Sequence, residues 1–259
     1  MFMHIFALFT STLWLGKLLT VLCRRTANKP CMTLYNKHEL SQEVQSDNDH
    51  SYFIPEGASR SPCPALNTLA NHGYLPRHGT KIHPMQLIRA LHHGYNLSYP
   101  FAAFLTLGGF VAMGQFSDMS LGDLCRHNHV EHNASLAHDD AQEWQEYAPS
   151  GCNRTMFEKL CTFSSDGKYL SVSDWARARV SREREDPWSI DPIHSEIARG
   201  EVALVAGIFG GPKQMVPVEI VRQWWKDETF PKGWKPEHKQ TLWKTIRTAW
   251  SIKSGMNEI

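Results

Sequence analysis

A cysteine framed by two prolines, Ser61-Pro62-Cys63-Pro64, is the first grouping in this chain with the makings of chemistry. Pro62 fixes its own φ and Pro64 drives Cys63 toward extended backbone, so the thiol leaves a stiff loop in one direction. Pro64 also suits a first helical position. Ala65, Leu66, Leu69 and Ala70 follow at helical spacing until Asn71, Gly73 and Pro76 end the run. A sulfur at such a helix start meets free N–H groups and the positive end of the helix dipole, which favours thiolate over thiol and invites a metal. On spacing alone, a buried small hydrophobe, a disulfide half and a nucleophile stay open.

Two further groupings carry chemistry. His127 to Asp140 reads HNHVEHNASLAHDD, in which Glu131, His132 and Ser135 offer a carboxylate, a ring or carbonyl, and a hydroxyl to one point. His127, His129, Glu131 and His132 equally suggest a non-haem divalent-metal enzyme built on zinc, although the ordered H-E-x-x-H signature is absent; a solvated polar loop is the plain alternative. Glu201 is the third. Asp191 caps and Pro192 starts a helix whose inward stripe runs Ile193, Ile197, Glu201, Leu204 and Ile208. Val202 to Phe209 is apolar on every face, so an unpaired carboxylate there would cost on the order of several kcal/mol. Glu201 must have a partner or a task, and an ion pair with Arg199 is the structural alternative.

The elements that position these groups read as helices. His83-Pro84 opens one with Leu87, Ile88 and Leu91 on a common face, ending near Gly94. Pro100 to Val111 is apolar all round, as a buried or cavity-lining helix is, and it offers Phe101, Ala103, Phe104 and Thr106 as a substrate wall. Residues 141–170 read as irregular connection with short helices. From Ser173, SDWARARVSRERED predicts a helix with Trp175, Ala178 and Val180 inward and its Arg and Glu residues in solvent. Thr241 to Ile252 predicts a final amphipathic helix docking through Leu242, Trp243, Ile246 and Trp250, opposite Lys239, Lys244, Arg247 and Lys253.

Ser61-Pro62-Cys63-Pro64-Ala65-Leu66-Asn67, with Ala70-Asn71-His72-Gly73-Tyr74 after it, resembles the proximal segment of the fungal haem-thiolate peroxidases, the family of chloroperoxidase and the unspecific peroxygenases. The Glu131-His132…Ser135 run is similar to that family's Glu-His-Asp-x-Ser segment, Gly200 to Leu204 to its glutamate segment, and Trp224-Trp225 with Phe230-Pro231…Gly233-Trp234 to a late aromatic segment read as packing. The resemblance covers roughly 52–236. It implies a mostly α, chloroperoxidase-like single haem-binding domain, with Cys63 as axial ligand of haem b, Glu201 as acid–base residue and His132 orienting it. It implies a magnesium or manganese ion near a haem propionate, held by Glu131, the His132 carbonyl and Ser135. Hydrogen peroxide would oxidise a small organic substrate by oxygenation, one-electron or halide chemistry, with secondary-metabolite biosynthesis as a setting. Asn133 stands where the family has Asp, which retunes the proton chemistry of His132 or leaves a haem-binding protein without peroxide turnover.

Of 259 residues, 27 are Lys or Arg and 26 Asp or Glu, so no global field points to nucleic acid. Six Cys are too few for a disulfide scaffold, although Cys152 and Cys161 could close a small loop. The boundaries read as a hydrophobic anchor or signal segment over 1–25, a polar linker over 26–51 and the enzyme domain over 52–259. The apolar run 1–22, followed by Arg24 and Arg25, favours an anchor over a cleaved signal, hence membrane association or the secretory pathway. Sequons at Asn96 and Asn153 permit lumenal exposure, whereas a glycan on the Asn133 sequon would exclude the cation.

Overall fold

Proline and side-chain caps start most of the helices. The computed structural model describes residues 50–185 and 190–259. Pro64 opens α1 (Pro64–Asn71), Pro84 opens α2 (Pro84–Tyr95), and Pro100 stands in the first turn of α3 (Tyr99–Ala112). Asn153 accepts from Thr155 N and Met156 N to begin α4 (Arg154–Thr162), which leads to α5 (Val172–Glu185). Asp191 accepts from Ile193 N and His194 N ahead of α6 (Pro192–Phe209). A short α7 (Val218–Val221) runs into one wide turn, Arg222–Lys226, and Thr241 caps α8 (Leu242–Asn257). Each of these caps satisfies N–H groups that a helix start leaves unpaired.

The fold is mostly α. Among the described residues the one sheet is two-stranded and antiparallel, β1 (Tyr169–Leu170) on β2 (Val216–Pro217), with Leu170 opposite Val216. Helix α2 packs on α3, while α8 lies against both α6 and α5. Leu69, Ile82, Tyr95, Leu97, Phe157 and Trp175 are fully buried among them. Gly94 lets α1 and α2 meet: a Cβ there would stand 2.3 Å from Leu69 Cδ2. The late aromatic segment packs as expected around Tyr95, whose ring meets Phe230 at 5.3 Å and Trp234 at 6.2 Å. Trp224 Nε1 donates to Tyr95 Oη at 2.9 Å.

Several faces differ from their sequence reading. In α8 the buried residues are Thr245, Thr248, Ala249 and Ile252, while Trp243 and Trp250 point outward at 59% and 52% exposure. Small side chains let α8 lie close on α6 and α5, so the bulky rings take the free face. In α5 the Arg/Glu run is not wholly solvated, because Arg179 is 1% exposed beside Trp175 and Ala178. In α6 the buried face is Ala198, Val202, Val205, Ala206 and Phe209, and the stripe through Ile197, Glu201, Leu204 and Ile208 is the more open one. Cys152 and Cys161 are free thiols, so they close no loop. The spanning segment read over 1–22 lies outside the described residues; among these, no helix is long and apolar enough to cross a membrane.

Gly94→Ala should destabilise the fold by about 1–3 kcal/mol, since Leu69 has no free volume to yield into. A denaturant melt with a lower midpoint and unchanged slope checks this.

Candidate active site

The Cys63 loop is held from inside α1. Asn67 Oδ1 accepts from Ser61 N at 2.8 Å, and Asn67 Nδ2 donates to Ser61 O at 2.7 Å. Ser61 Oγ accepts from Cys63 N at 3.2 Å. Tyr95 Oη donates to Ala65 O at 3.0 Å, tying the first turn to α2. Burial pushes the Cys63 thiol up to about 11, while the N–H groups of Leu66 and Ala65 pull it back and the Glu201 and Glu228 charges push it further. The N–H groups at the helix start favour the thiolate, and burial opposes them. Desolvation outweighs the dipole, and a cation on sulfur has to complete the ionisation.

Glu201 stands toward the same interior. Its side chain is 57% accessible, yet burial is the largest single influence on its carboxyl. The Glu201 charge also acts on Cys63, so the sulfur and the carboxylate lie within electrostatic reach of each other. His132 Nε2 lies 3.5 Å from Glu201 Oε2, and His132 Nδ1 donates to Asn133 O at 2.6 Å. With Nδ1 on a carbonyl and Nε2 facing a carboxylate, the surroundings favour the imidazolium. Burial pulls His132 down, but Glu201 and the Asn133 carbonyl outweigh it and the net shift is upward. Burial likewise pushes Glu201 up, and His132, His138 and Arg179 together bring it below the usual carboxylate range. Arg199 pairs with Glu196 at 2.9 Å instead, which removes the structural ion pair considered for Glu201.

The loop carrying His132 is shaped by the helix read as solvated. Ala134 has φ +61, a left-handed conformation costing roughly 1–2 kcal/mol for a residue with a Cβ. Asp140 Oδ1 accepts from Ala134 N at 2.8 Å, Arg179 Nη1 donates to Ala134 O at 2.7 Å, and Arg182 Nε donates to Ser135 O at 2.7 Å. Arg182 also pairs with Asp140 at 2.5 Å. The Asn133 side chain accepts from Ala141 N at 3.2 Å, so it braces the loop, and His132 is held by the Asn133 backbone.

Glu131 and Ser135 are both buried in that loop. Glu131 Oε2 accepts from His127 Nδ1 at 2.7 Å, while Oε1 has no hydrogen-bond partner among the described residues. An orphaned buried carboxylate oxygen suits a hard cation. Ser135 Oγ receives only two long bonds, 3.4 Å from Ala137 N and 3.4 Å from His138 N. The zinc set is not brought together: His129 bonds Ala112 O, His132 turns to Glu201, and no three His, Cys, Asp or Glu side chains converge among the described residues. Of the substrate-wall candidates, Phe101 and Thr106 are buried, Thr106 Oγ1 having no partner among the described residues, and Ala103 and Phe104 are half-buried.

The model of the family described as Peroxidase, family 2, matches residues 50–239. The chain belongs to this family. It is similar to the aromatic peroxygenase of Cyclocybe aegerita, 32% identical over 196 residues that cover 65% of this chain and 52% of that protein. It is also similar to the chloroperoxidase of Leptoxyphium fumago, 25% identical over 233 residues, 77% of this chain and 62% of the relative. The dothistromin biosynthesis peroxidase dotB of Dothistroma septosporum is 42% identical over 84 residues, 32% of this chain and 20% of its own. The chain spans about half the length of the aromatic peroxygenases it matches. The family's thiolate-ligated haem fits the donors present, a single soft sulfur with N–H groups behind it and a carboxylate–imidazolium pair within electrostatic reach.

The contribution of His132 to stability is fully present below its ordinary value of 6.5 and is lost as pH rises through the raised one. That of Glu201 is present above its ordinary 4.5 and is lost as pH falls through the depressed one. The pair is therefore complete only between those limits. In Glu201→Gln burial and Arg179 act on His132 with less opposition, so its titration, followed by ring NMR, should move from above 6.5 toward or below it.

Proposed function

We propose that this chain is a haem-thiolate peroxidase or peroxygenase that uses hydrogen peroxide to oxidise a small organic substrate. The Glu201–His132 pair within electrostatic reach of the Cys63 sulfur carries the reading. Cys63 would hold haem b through its thiolate. Bound there, the haem supplies the redox chemistry that breaks the O–O bond. Glu201, held ionised by His132, would take the proton from one oxygen of hydrogen peroxide and deliver it to the other, so that one oxygen leaves as water and the second, with its two oxidising equivalents, is spent on the substrate. His132 fixes the direction of the carboxylate and screens its charge. Arg179 and Arg182 keep the backbone at 134 and 135 where His132 reaches Glu201.

A magnesium or manganese ion on Glu131, the His132 carbonyl and Ser135 is supported by the orphaned Glu131 oxygen. Oxidation within secondary-metabolite biosynthesis is supported by similarity to a peroxidase named for dothistromin biosynthesis. The apolar run at 1–22 supports a membrane-anchored or secretory-pathway location.

Cys63→Ala should abolish thiolate-type spectra and most haem binding, and an unchanged Soret band would remove the ligand assignment. Glu201→Gln should keep haem and slow peroxide-dependent turnover by about 10²–10⁴-fold. If stopped flow finds wild-type peroxide activation, Glu201 is not the base. Metal analysis of the purified protein should find one magnesium or manganese per haem, and loss of that ion in Glu131→Gln places it on the loop.

A further inference from the structure

The segment after the Trp-Trp pair does more than pack. Asn67 and Asn71, one turn apart on α1, both reach residue 228: Asn67 Nδ2 donates to Glu228 Oε1 at 2.6 Å, and Asn71 Nδ2 donates to Glu228 O at 3.0 Å. Glu228 takes φ +49 to receive them. Next along, His72 Nε2 accepts from Phe230 N at 3.2 Å, so the contact is continuous. Asn67 is 1% exposed, and its amide is the same one that holds Ser61 N and Ser61 O. Ser61 N and Ser61 O already orient that amide, and Glu228 accepts its second Nδ2 hydrogen, anchoring it from the far side. From Ser61 the path runs through Oγ to the N–H of Cys63. Burial pushes the Glu228 carboxyl up while Asn67, Arg60 and Asn71 oppose it, and its charge when ionised reaches the sulfur directly.

We propose that Glu228 is a positioning residue for the Cys63 sulfur, acting through Asn67 and Ser61 and adding negative potential on the proximal side. This rests on the haem-thiolate reading above. Removing Glu228 leaves one hydrogen of the buried Asn67 amide without its acceptor, which loosens the anchor of the loop that aims the sulfur. Removing only its charge keeps the hydrogen bond, because a Gln oxygen can accept from Asn67, and makes an added electron at the metal less unfavourable.

The test uses full-length holoprotein, with the ferrous–carbon monoxide spectrum and the ferric/ferrous midpoint potential as readouts. Glu228→Ala should lose part of its thiolate-type band to a neutral-thiol band. Glu228→Gln should keep the thiolate band and shift the midpoint upward. A lower melting temperature with both spectrum and potential unchanged would make Glu228 merely structural and overturn the proposal. Should Glu228→Ala fail to fold, an unmoved potential in Glu228→Gln overturns it alone. A wild-type protein without any thiolate band would instead sink the haem-thiolate reading, an outcome distinct from these.

Discussion

Buried backbone outside regular structure has to find partners, and that requirement governs both halves of the site. The Cys63 loop and the loop carrying His132 lack a helix or sheet ladder of their own. Each is completed by side chains from a neighbouring helix. Asn67 closes the first loop from α1, and Arg179 with Arg182 closes the second from α5. The helices thereby do two jobs, since the surfaces that pack the core also donate the bonds that hold the reactive loops. Removing one such donor leaves a buried carbonyl unpaired at about 1–3 kcal/mol, a large part of a domain's net stability.

Electrostatics around the site follow from the same crowding. Desolvation alone would neutralise Cys63, His132 and Glu201. For the Glu201–His132 pair, mutual attraction outweighs it; Arg179 helps to ionise Glu201 but opposes the charge on His132. The sulfur has no comparable protein partner, since its nearby charges are carboxylates and only two N–H groups oppose them.

The helical fold was legible in the sequence because proline, caps and apolar spacing agree, as at Asp191-Pro192 and His83-Pro84. Cys63 and Glu201 were visible for a related reason, each being a reactive type where its surroundings would not call for one, whereas Glu131 and His132, in a run rich in His and Asp, stood out through the family resemblance. What the sequence hid was direction. The α6 stripe through Glu201 looked inward, whereas it is the more open face; the helix is apolar on its other face too, and periodicity cannot rank two apolar faces. Arg179 escaped notice although it follows Trp175 by four residues on the inward side of α5, the same clue that singled out Glu201. The α8 rings misled because bulk was read as burial, while a close approach of helices selects Thr and Ala. Contacts such as Asn67 with Glu228 join residues 161 apart, which no local spacing reveals.

That separation has a consequence for how the protein is made. The loop carrying the reactive cysteine is synthesised early, but the acceptor that fixes its amide arrives 161 residues later. At about 5–20 residues per second, roughly ten to thirty seconds of synthesis separate the two. Closing so long a span also carries an entropic cost growing as the logarithm of its length, so the amide that holds Ser61 gains this acceptor only after most of the chain has been made.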